Sequence, residues 1–580
     1  MKTIKLKLFI AVLASLAILN GCQKSYEIPT ITVPASQNVE VEKSIDISFS
    51  YTADAGFSKS TVTATGGIAV VKTDGIDEAT SGTIVVTFTA GSTVGAGSVT
   101  LTVTDTESQV ASNTAVLALF EKGAPMVTTP ANSSTILVNS VDITFPFTAE
   151  AGYKSSTLAP TNGTAVIKTD AAANATSGNI VVTFTAGTDA GAGSVAITVT
   201  DSNNKAGTAT AVVDVKKGIS VTGNITANTT WETGKIYILE TRVAVLSGVT
   251  LTIQPGVIVK GNAGTGSNAT ALLIARGGKL MAEGTETAPI IFTSISDNIL
   301  PGQVASPNLS QDLDGLWGGL LILGNAPIAA SVSPKQIEGI PPSDANGLCG
   351  GTDPTDNSGV IKYVSIRHGG ANIGEGNEIN GLTLGGVGNL TVIENVEIIA
   401  NQDDGIEWFG GTVNVKNAIV WNTGDDAIDT DQGWGGTLDN FIVITPGDKC
   451  FELDGPEGSS APAVKHIIKN GHVRAGNAAG LVDIDDAGDS KDSYLDFMNI
   501  YFYKLKSSAP YQTFDAVPKF YACDFNHFEV VLPGTATLQD IFLKGSDAYA
   551  TAVAEGANTV GANPAVFTGT WSWAAAAAAF

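Results

Sequence analysis

Between residues 391 and 458 the chain repeats itself every 22 or 23 residues, and this period restricts the fold more than any other feature of the sequence. Asn395-Val396-Glu397-Ile398 leads to Asp403-Asp404-Gly405-Ile406-Glu407-Trp408. Asn417-Ala418-Ile419-Val420 leads to Asp425-Asp426-Ala427-Ile428-Asp429-Thr430, and Asn440-Phe441-Ile442-Val443 to Asp448-Lys449-Cys450-Phe451-Glu452-Leu453. Asn470 and Asn499 follow in the same local setting after steps of 30 and 29. Short β-type runs between polar turns, repeated at about 20–30 residues, are the signature of a solenoid, because one layer cannot bury its own apolar face and must stack on the next.

Stacking sorts the side chains. Neighbours along a strand point to opposite faces, so if Ile406, Ile428 and Phe451 face inward, Glu407, Asp429 and Glu452 face outward in one column. Asp403, Asp404, Asp425, Asp426 and Asp448 sit just before that column. Like charges one strand spacing apart repel by roughly 1 kcal/mol per neighbour even in water, so the face calls for a counter-charge. Ca2+ suits it, as a hard cation taking six to eight oxygens in loose geometry. The expected metal ligands are Asp403, Asp404, Asp425 and Asp426, with Glu407 and Asp429 beside them. The competing reading, in which each aspartate caps a turn and the column is solvated, stays open at this point. The preceding strand carries a second outward strip that includes Trp421, His472 and Tyr501. An aromatic strip next to acids is a common way to hold a sugar ring, so Glu407, Asp429, Glu452, Trp421, His472 and Tyr501 are the candidate binding residues. For that strip, cover by a long loop or the neighbouring domain is the favoured reading, and an open sugar-holding strip the alternative.

Charged residues make up only 15%, yet the net charge is −25, and 65 residues are glycine. Few helical patterns occur, which is an all-β profile long enough for several cores. The acidity argues against nucleic acid as a partner. Four cysteines do not make a disulfide framework, and His368, His466, His472 and His527 form no pair at helical metal spacing, so surface or turn roles are expected for them.

The N-terminus has the charge-then-apolar order of an export signal: Lys2, Lys5 and Lys7, then Leu8 to Leu19. It ends Leu19-Asn20-Gly21-Cys22, which resembles a bacterial lipobox; that resemblance implies a signal peptide over 1–21, lipidation of Cys22, and a membrane anchor in the cell envelope, at an outer membrane. Residues 46–105 then recur at 142–201 with a constant offset of 96. Asp46-Ile47-Ser48-Phe49 matches Asp142-Ile143-Thr144-Phe145, and Gly95-Ala96-Gly97-Ser98-Val99 matches Gly191-Ala192-Gly193-Ser194-Val195. Strands that alternate apolar residues with threonine predict two immunoglobulin-like β-sandwiches, over 22–121 and 122–217, acting as a spacer, with a glycan-binding module as the alternative.

From Ile219 the pattern changes to short runs such as Val249–Ile253 and Pro289–Thr293, with long loops at 294–315 and 331–359. The expected fold is all-β: two tandem sandwiches, a right-handed parallel β-helix over 218–545, and a cap over 546–580 on its last coil. The asparagine ladder resembles that of the pectate-lyase-like β-helix superfamily. Leu316-Trp317-Gly318-Gly319-Leu320, Gly324-Asn325-Ala326-Pro327-Ile328, Glu378 to Gly388, Asp404 to Val413 and Gly424 to Gly433 together resemble a group of exported β-helix lipoproteins of Bacteroidota. That likeness brings no assigned activity. Pectate lyases pair Ca2+-binding aspartates with a basic residue, and polygalacturonases use clustered aspartates; on that analogy Asp404, Asp426 and Arg474 are the catalytic candidates, although neither family's full motif is present. Three readings follow. The first is a lipid-anchored envelope protein binding glycan or an envelope protein through an acidic face. The second is a polysaccharide lyase or glycoside hydrolase, and the third a structural or adhesive spacer.

Overall fold

Alternation of apolar residues with threonine builds antiparallel sheets in the first part of the chain. The structure, a computed structural model, describes residues 26–121, 123–372, 378–458, 464–485, 492–516 and 523–580, so Cys22 and the signal segment lie outside the described residues. Two units are present, Met1–Lys216 and Lys217–Phe580. The first holds two sandwiches of paired four-stranded sheets. In one, Ile47, Phe49, Val86, Phe88, Val99 and Leu101 meet between the sheets; in the other their equivalents 96 residues on, Ile143, Phe145, Val182, Phe184, Val195 and Ile197, are buried in the same way. Even the bulge recurs, at Phe57/Lys59 and at Tyr153/Ser155.

The second unit is a parallel β-helix. Its coils contribute to a fifteen-stranded and a nine-stranded sheet, both built of parallel pairs. Early coils use two separate strands for the larger sheet; from Gly359–Arg367 onward these fuse into one bent strand, whose first half pairs with Lys279–Glu283 and whose second half pairs with Ile290–Ser294. The bend is the asparagine column. Asn395, Asn417, Asn440, Asn470 and Asn499 all have φ between 56° and 61°, the left-handed region that asparagine tolerates better than other side chains. Their amides bond from layer to layer, Asn417 Nδ2 to Asn395 Oδ1 at 2.8 Å and Asn440 Nδ2 to Asn417 Oδ1 at 2.7 Å. Tyr363 and His527 take the same conformation at the two ends of the column, with φ of 50° and 60°. The interior is continuous, running from Trp231 through Trp408, Trp434 and Phe451 to Phe528 and Phe542. Cys450 belongs to it. So does His466, which lies against Trp434 with its pKa pushed down to about 3 by burial, a core position where the sequence suggested the surface.

The end of the chain departs from expectation. Ala550–Ala552 still pairs in the larger sheet, and the residues beyond do not sit on the last coil. Residues 556–580 run back along the outer face of the fifteen-stranded sheet. Ala562, Phe567, Trp571, Trp573 and Ala574 pack there on Ile399, Ile419, Trp421, Ile442 and Ile444. The reason is the row itself: its outward side chains are apolar, and the chain's own tail removes them from water. Among the described residues no helix is long and apolar enough to cross a membrane.

Candidate functional site

One outward row of the nine-stranded sheet passes through every strand in register: Ala244, Leu273, Leu321, Thr383, Glu407, Asp429, Glu452, Asp483, Asp515. Its first three members are apolar, and Ile328, Ile337, Ile340 and Cys349 of the long loop cover them. After Thr383 the row turns acidic and stays so. The site lies at this change.

Asp404 and Asp426 stand in successive turns at the head of the acidic strands. Asp404 Oδ1 accepts from the Asp426 backbone N–H at 2.9 Å, and Asp426 Oδ1 accepts from the Lys449 N–H at 2.5 Å. Each aspartate therefore caps a turn, but that of the next layer, and spends one oxygen on it. The carboxylates gather into three overlapping groups: Asp403, Asp404 and Asp425; Asp404, Glu407 and Asp429; Asp425, Asp426 and Asp448. Within each group one carboxylate oxygen per residue lies within 4.8 Å of the others. Two oxygens bound to one Ca2+ at about 2.4 Å each are at most about 4.8 Å apart, so each triad has the span of a shared ion.

These acids are not simply solvated. Asp404, Glu407 and Asp426 are 8%, 5% and 1% exposed. Asn380 donates through Nδ2 to Glu407 Oε2. The buried Oδ1 atoms of Asp429 and Asn380 have no hydrogen-bond partner among the described residues, and both are oxygen donors of the kind a hard cation takes. Burial and neighbouring carboxylates push the acids upward together. Asp403 rises to about 7 and Asp426 to about 9, burial being the largest cause in both, followed by Glu378 for the first and Glu452 for the second. Burial, then Asp429, holds Asp404 well above the usual carboxylate range; burial, then Asp404, does so for Glu407; burial, then Glu407, for Asp429. Asp431, on the next outward position of its strand, reaches about 8 through burial and Glu457. Lys449 bonds Asp448 at 2.8 Å, and Lys335 pairs with Glu457. These two cations serve many acids.

Glu407, Asp429, Glu452 and the four expected metal ligands are thus brought together. Sequence reasoning missed Asn380, Asp431, Asp483, Asp515 and Glu338 of the covering loop. Asp431 was findable from the alternation Asp429-Thr430-Asp431.

The other candidates lie elsewhere. Trp421 and Tyr501 face outward from the fifteen-stranded sheet, only 7% and 3% exposed beneath the C-terminal strap. His472 is partly buried there too. Of the two readings of the strip the covered one holds, with the chain's own tail as the cover; strip and acids belong to different sheets, which corrects the grouping of Trp421, His472 and Tyr501 with the acids as binding residues. Arg474 donates to the Ala579 carbonyl at 2.5 Å and forms no salt bridge with Asp404 or Asp426 among the described residues, so it does not complete a catalytic group with them.

Residues 223–481 match the family model of the pectate-lyase-like β-helix domain. No curated protein matches the chain. Similar solved structures include the sialic acid binding region of a Streptococcus sanguinis SK1 adhesin, at 10% identity over 34% of this chain and 82% of that one, with a TM-score of 0.14. An endo-fucoidan hydrolase of glycoside hydrolase family 107 aligns at 17% identity over 32% of this chain and 28% of that one, with a TM-score of 0.13. The fibronectin(III)-like modules of Clostridium thermocellum CbhA align at 17% identity over 33% of this chain and 94% of that one, with a TM-score of 0.14. Scores this low carry no argument about the chain. A pectate-lyase-like β-helix domain fits a carbohydrate-binding or carbohydrate-active role.

Proposed function

We propose that the β-helix is a glycan-recognition domain whose acidic row holds Ca2+ and, through it, binds an acidic glycan. The observation that carries this is the in-register row Glu407–Asp429–Glu452, flanked by the Asp403/Asp404 and Asp425/Asp426 turns, where three overlapping triads of acids each hold ligand oxygens within 4.8 Å of one another. So many buried carboxylates with two nearby ammonium groups call for protons or a cation, and the oxygen-only donor set favours Ca2+ over softer metals. Bound there, the ion supplies positive charge on an otherwise acidic face, which an anionic sugar needs in order to approach. Asp404, Glu407 and Asp429 would hold it, with Asn380 positioning Glu407. The sandwiches serve as a spacer and Cys22 as the lipidated envelope anchor in this reading.

The test is a melting experiment on chelated full-length protein, followed by glycan binding with and without Ca2+. A stabilising shift with calcium, together with calcium-dependent binding of uronic-acid or sulfated glycans, is expected. No shift on adding calcium would remove the ion from the reading.

Catalysis is the second reading, and one observation favours it. Asp403, at about 7, stands beside other carboxyls, the arrangement that lets one acid donate a proton while its neighbour stays ionised. New double bonds absorbing in the ultraviolet would mark a lyase, and new reducing ends a hydrolase. Binding without either leaves recognition as the function.

A further inference from the structure

The strap over 556–580 is held by polar contacts that read its backbone. Glu397 lies buried in the sheet, where Ser365 Oγ donates to it at 2.6 Å. It accepts from Ser572 Oγ at 2.7 Å, the Ala574 N–H at 2.9 Å and the Trp573 N–H at 3.2 Å. Glu529 accepts from the Thr559 N–H and hydroxyl at 2.6 and 2.7 Å. Asn440 Oδ1 accepts from the Asn563 N–H at 2.6 Å. Between these pins stands His472, whose Nδ1 accepts from the Ala562 N–H at 2.6 Å.

That last contact depends on protonation. A ring nitrogen can accept only while it carries no proton. Protonated, Nδ1 becomes a donor aimed at another donor. The strap passes close over the ring at Gly561, where a side chain would not fit: a Cβ built there would lie 2.6 Å from Nδ1 and Cε1 and 3.1 Å from Tyr501 Cβ. Gly561 also has φ of 118°, so no other residue fits the position easily.

We propose that His472 is an acid-sensitive latch: on protonation it releases Ala562, and the strap over 556–580 lifts from the fifteen-stranded sheet. Lifting uncovers Trp421, Ile444 and Tyr501. Asn558 of the strap lies 3.5 Å from Nε2, the other ring nitrogen, and donates to the Val560 carbonyl; the remaining groups facing His472 do not replace the lost bond. Tyr501 and Tyr503 on the next strand have ring centroids 5.2 and 6.4 Å away. Ile442 and Ile444 on the preceding strand are uncharged, and Arg474 on its own strand is bound to the strap at Ala579. Glu529, one strand beyond Tyr501, is engaged by Thr559, with His527 3.6 Å from it, and Glu555 of the segment leading into the strap pairs with Lys504. Burial of the ring lowers its pKa, so the latch holds at neutral pH and works below it.

Hydrogen exchange of the full-length chain tests this, with peptides covering 556–580 compared between pH 7.5 and pH 5 after correction for intrinsic rates. Strap protection should fall by up to about tenfold for each pH unit below the free imidazole value of about 6.5, levelling off once the covered ring is itself protonated, while peptides from the sandwich strands at 81–120 keep theirs. His472→Asn keeps an acceptor near Nδ1 and cannot titrate, so its strap should stay protected at pH 5. Unchanged protection in the wild type overturns the proposal, as does equal loss in the variant, which would place the switch at another group. Should the variant not fold, the ring of His472 in 15N-labelled wild type is titrated by NMR. Its midpoint coincides with strap opening if the latch is real, and separate midpoints overturn it.

Discussion

Glu407 and Asp429 face each other across one strand spacing, the first buried and the second partly so, and neither has a cationic partner of its own among the described residues. Each therefore raises the energy of the folded chain whenever it is ionised and no cation is bound. Glu407→Gln and Asp429→Asn remove a charge and keep the shape, so at pH 8 in chelator each should raise the melting temperature by about 1–3 °C. The same substitutions should abolish most of the calcium-induced shift. Calorimetry with and without Ca2+ reads both effects, and a variant that melts lower in chelator would mean the carboxylate is satisfied by the protein alone. Asp426 separates the two roles of an acid here, since its Oδ1 also holds the Lys449 N–H. Asp426→Asn keeps an acceptor for that turn while Asp426→Ala loses it, so alanine should be the less stable by about 1 kcal/mol in chelator, measured by denaturant unfolding. The inward and outward parity of these residues was legible because a strand alternates strictly. Their burial was not, because it comes from Asn380 and from the loop carrying Glu338, which lie 27 and 69 residues away from Glu407 and carry no period.

The coil is the next scale up, and its corner is an asparagine for two reasons that a pair of substitutions can separate. Asn417 sits at φ of 58° and bonds to the rungs on both sides. Asn417→Gly removes both bonds but adopts the conformation freely, whereas Asn417→Ala also incurs the left-handed penalty, about 1–2 kcal/mol. The expected order of stability by chemical denaturation is asparagine, then glycine, then alanine. Equal loss in the two variants would mean the amide bonds alone matter. This element was readable from sequence where the period holds at 22 or 23 residues. It faded where inserted loops stretch the step, so Asp483 and Asp515, 31 and 32 residues further along the row, escaped notice. Tyr363 and His527 escaped too, since neither looks like a rung until the register places them in the column. The strap escaped for a different reason. Its partner is the outer face of a sheet, and nothing local in Trp571-Ser572-Trp573 tells a segment that caps a coil from one that lies along it.

For the whole molecule, the acidic row makes stability, pH and calcium one linked quantity. Asp454 is pushed up to about 6, Asp403 to about 7, Asp431 to about 8 and Asp426 to about 9, in each case first by burial. In the unfolded chain all four would titrate near 4. Between pH 4 and 9 the folded state therefore holds more protons than the unfolded state, and its stability falls as pH rises. The contribution of each acid is complete below its unfolded pKa and is lost as pH climbs through its folded one. Calcium-free protein should thus melt at steadily lower temperature from pH 6 to pH 9. An ion in the row competes with those protons, so it must expel them, and its affinity must grow with pH over the same window. Saturating calcium should flatten the decline, and adding it to weakly buffered apo-protein at pH 7.5 should release protons measurable in a pH-stat. Exposed carboxylates that merely attract calcium would already be ionised at pH 7.5 and would release none. Proton release thus separates a built site from a charged surface, and its absence, with a melting temperature level from pH 6 to pH 9, would show the row to be ordinary solvated acid.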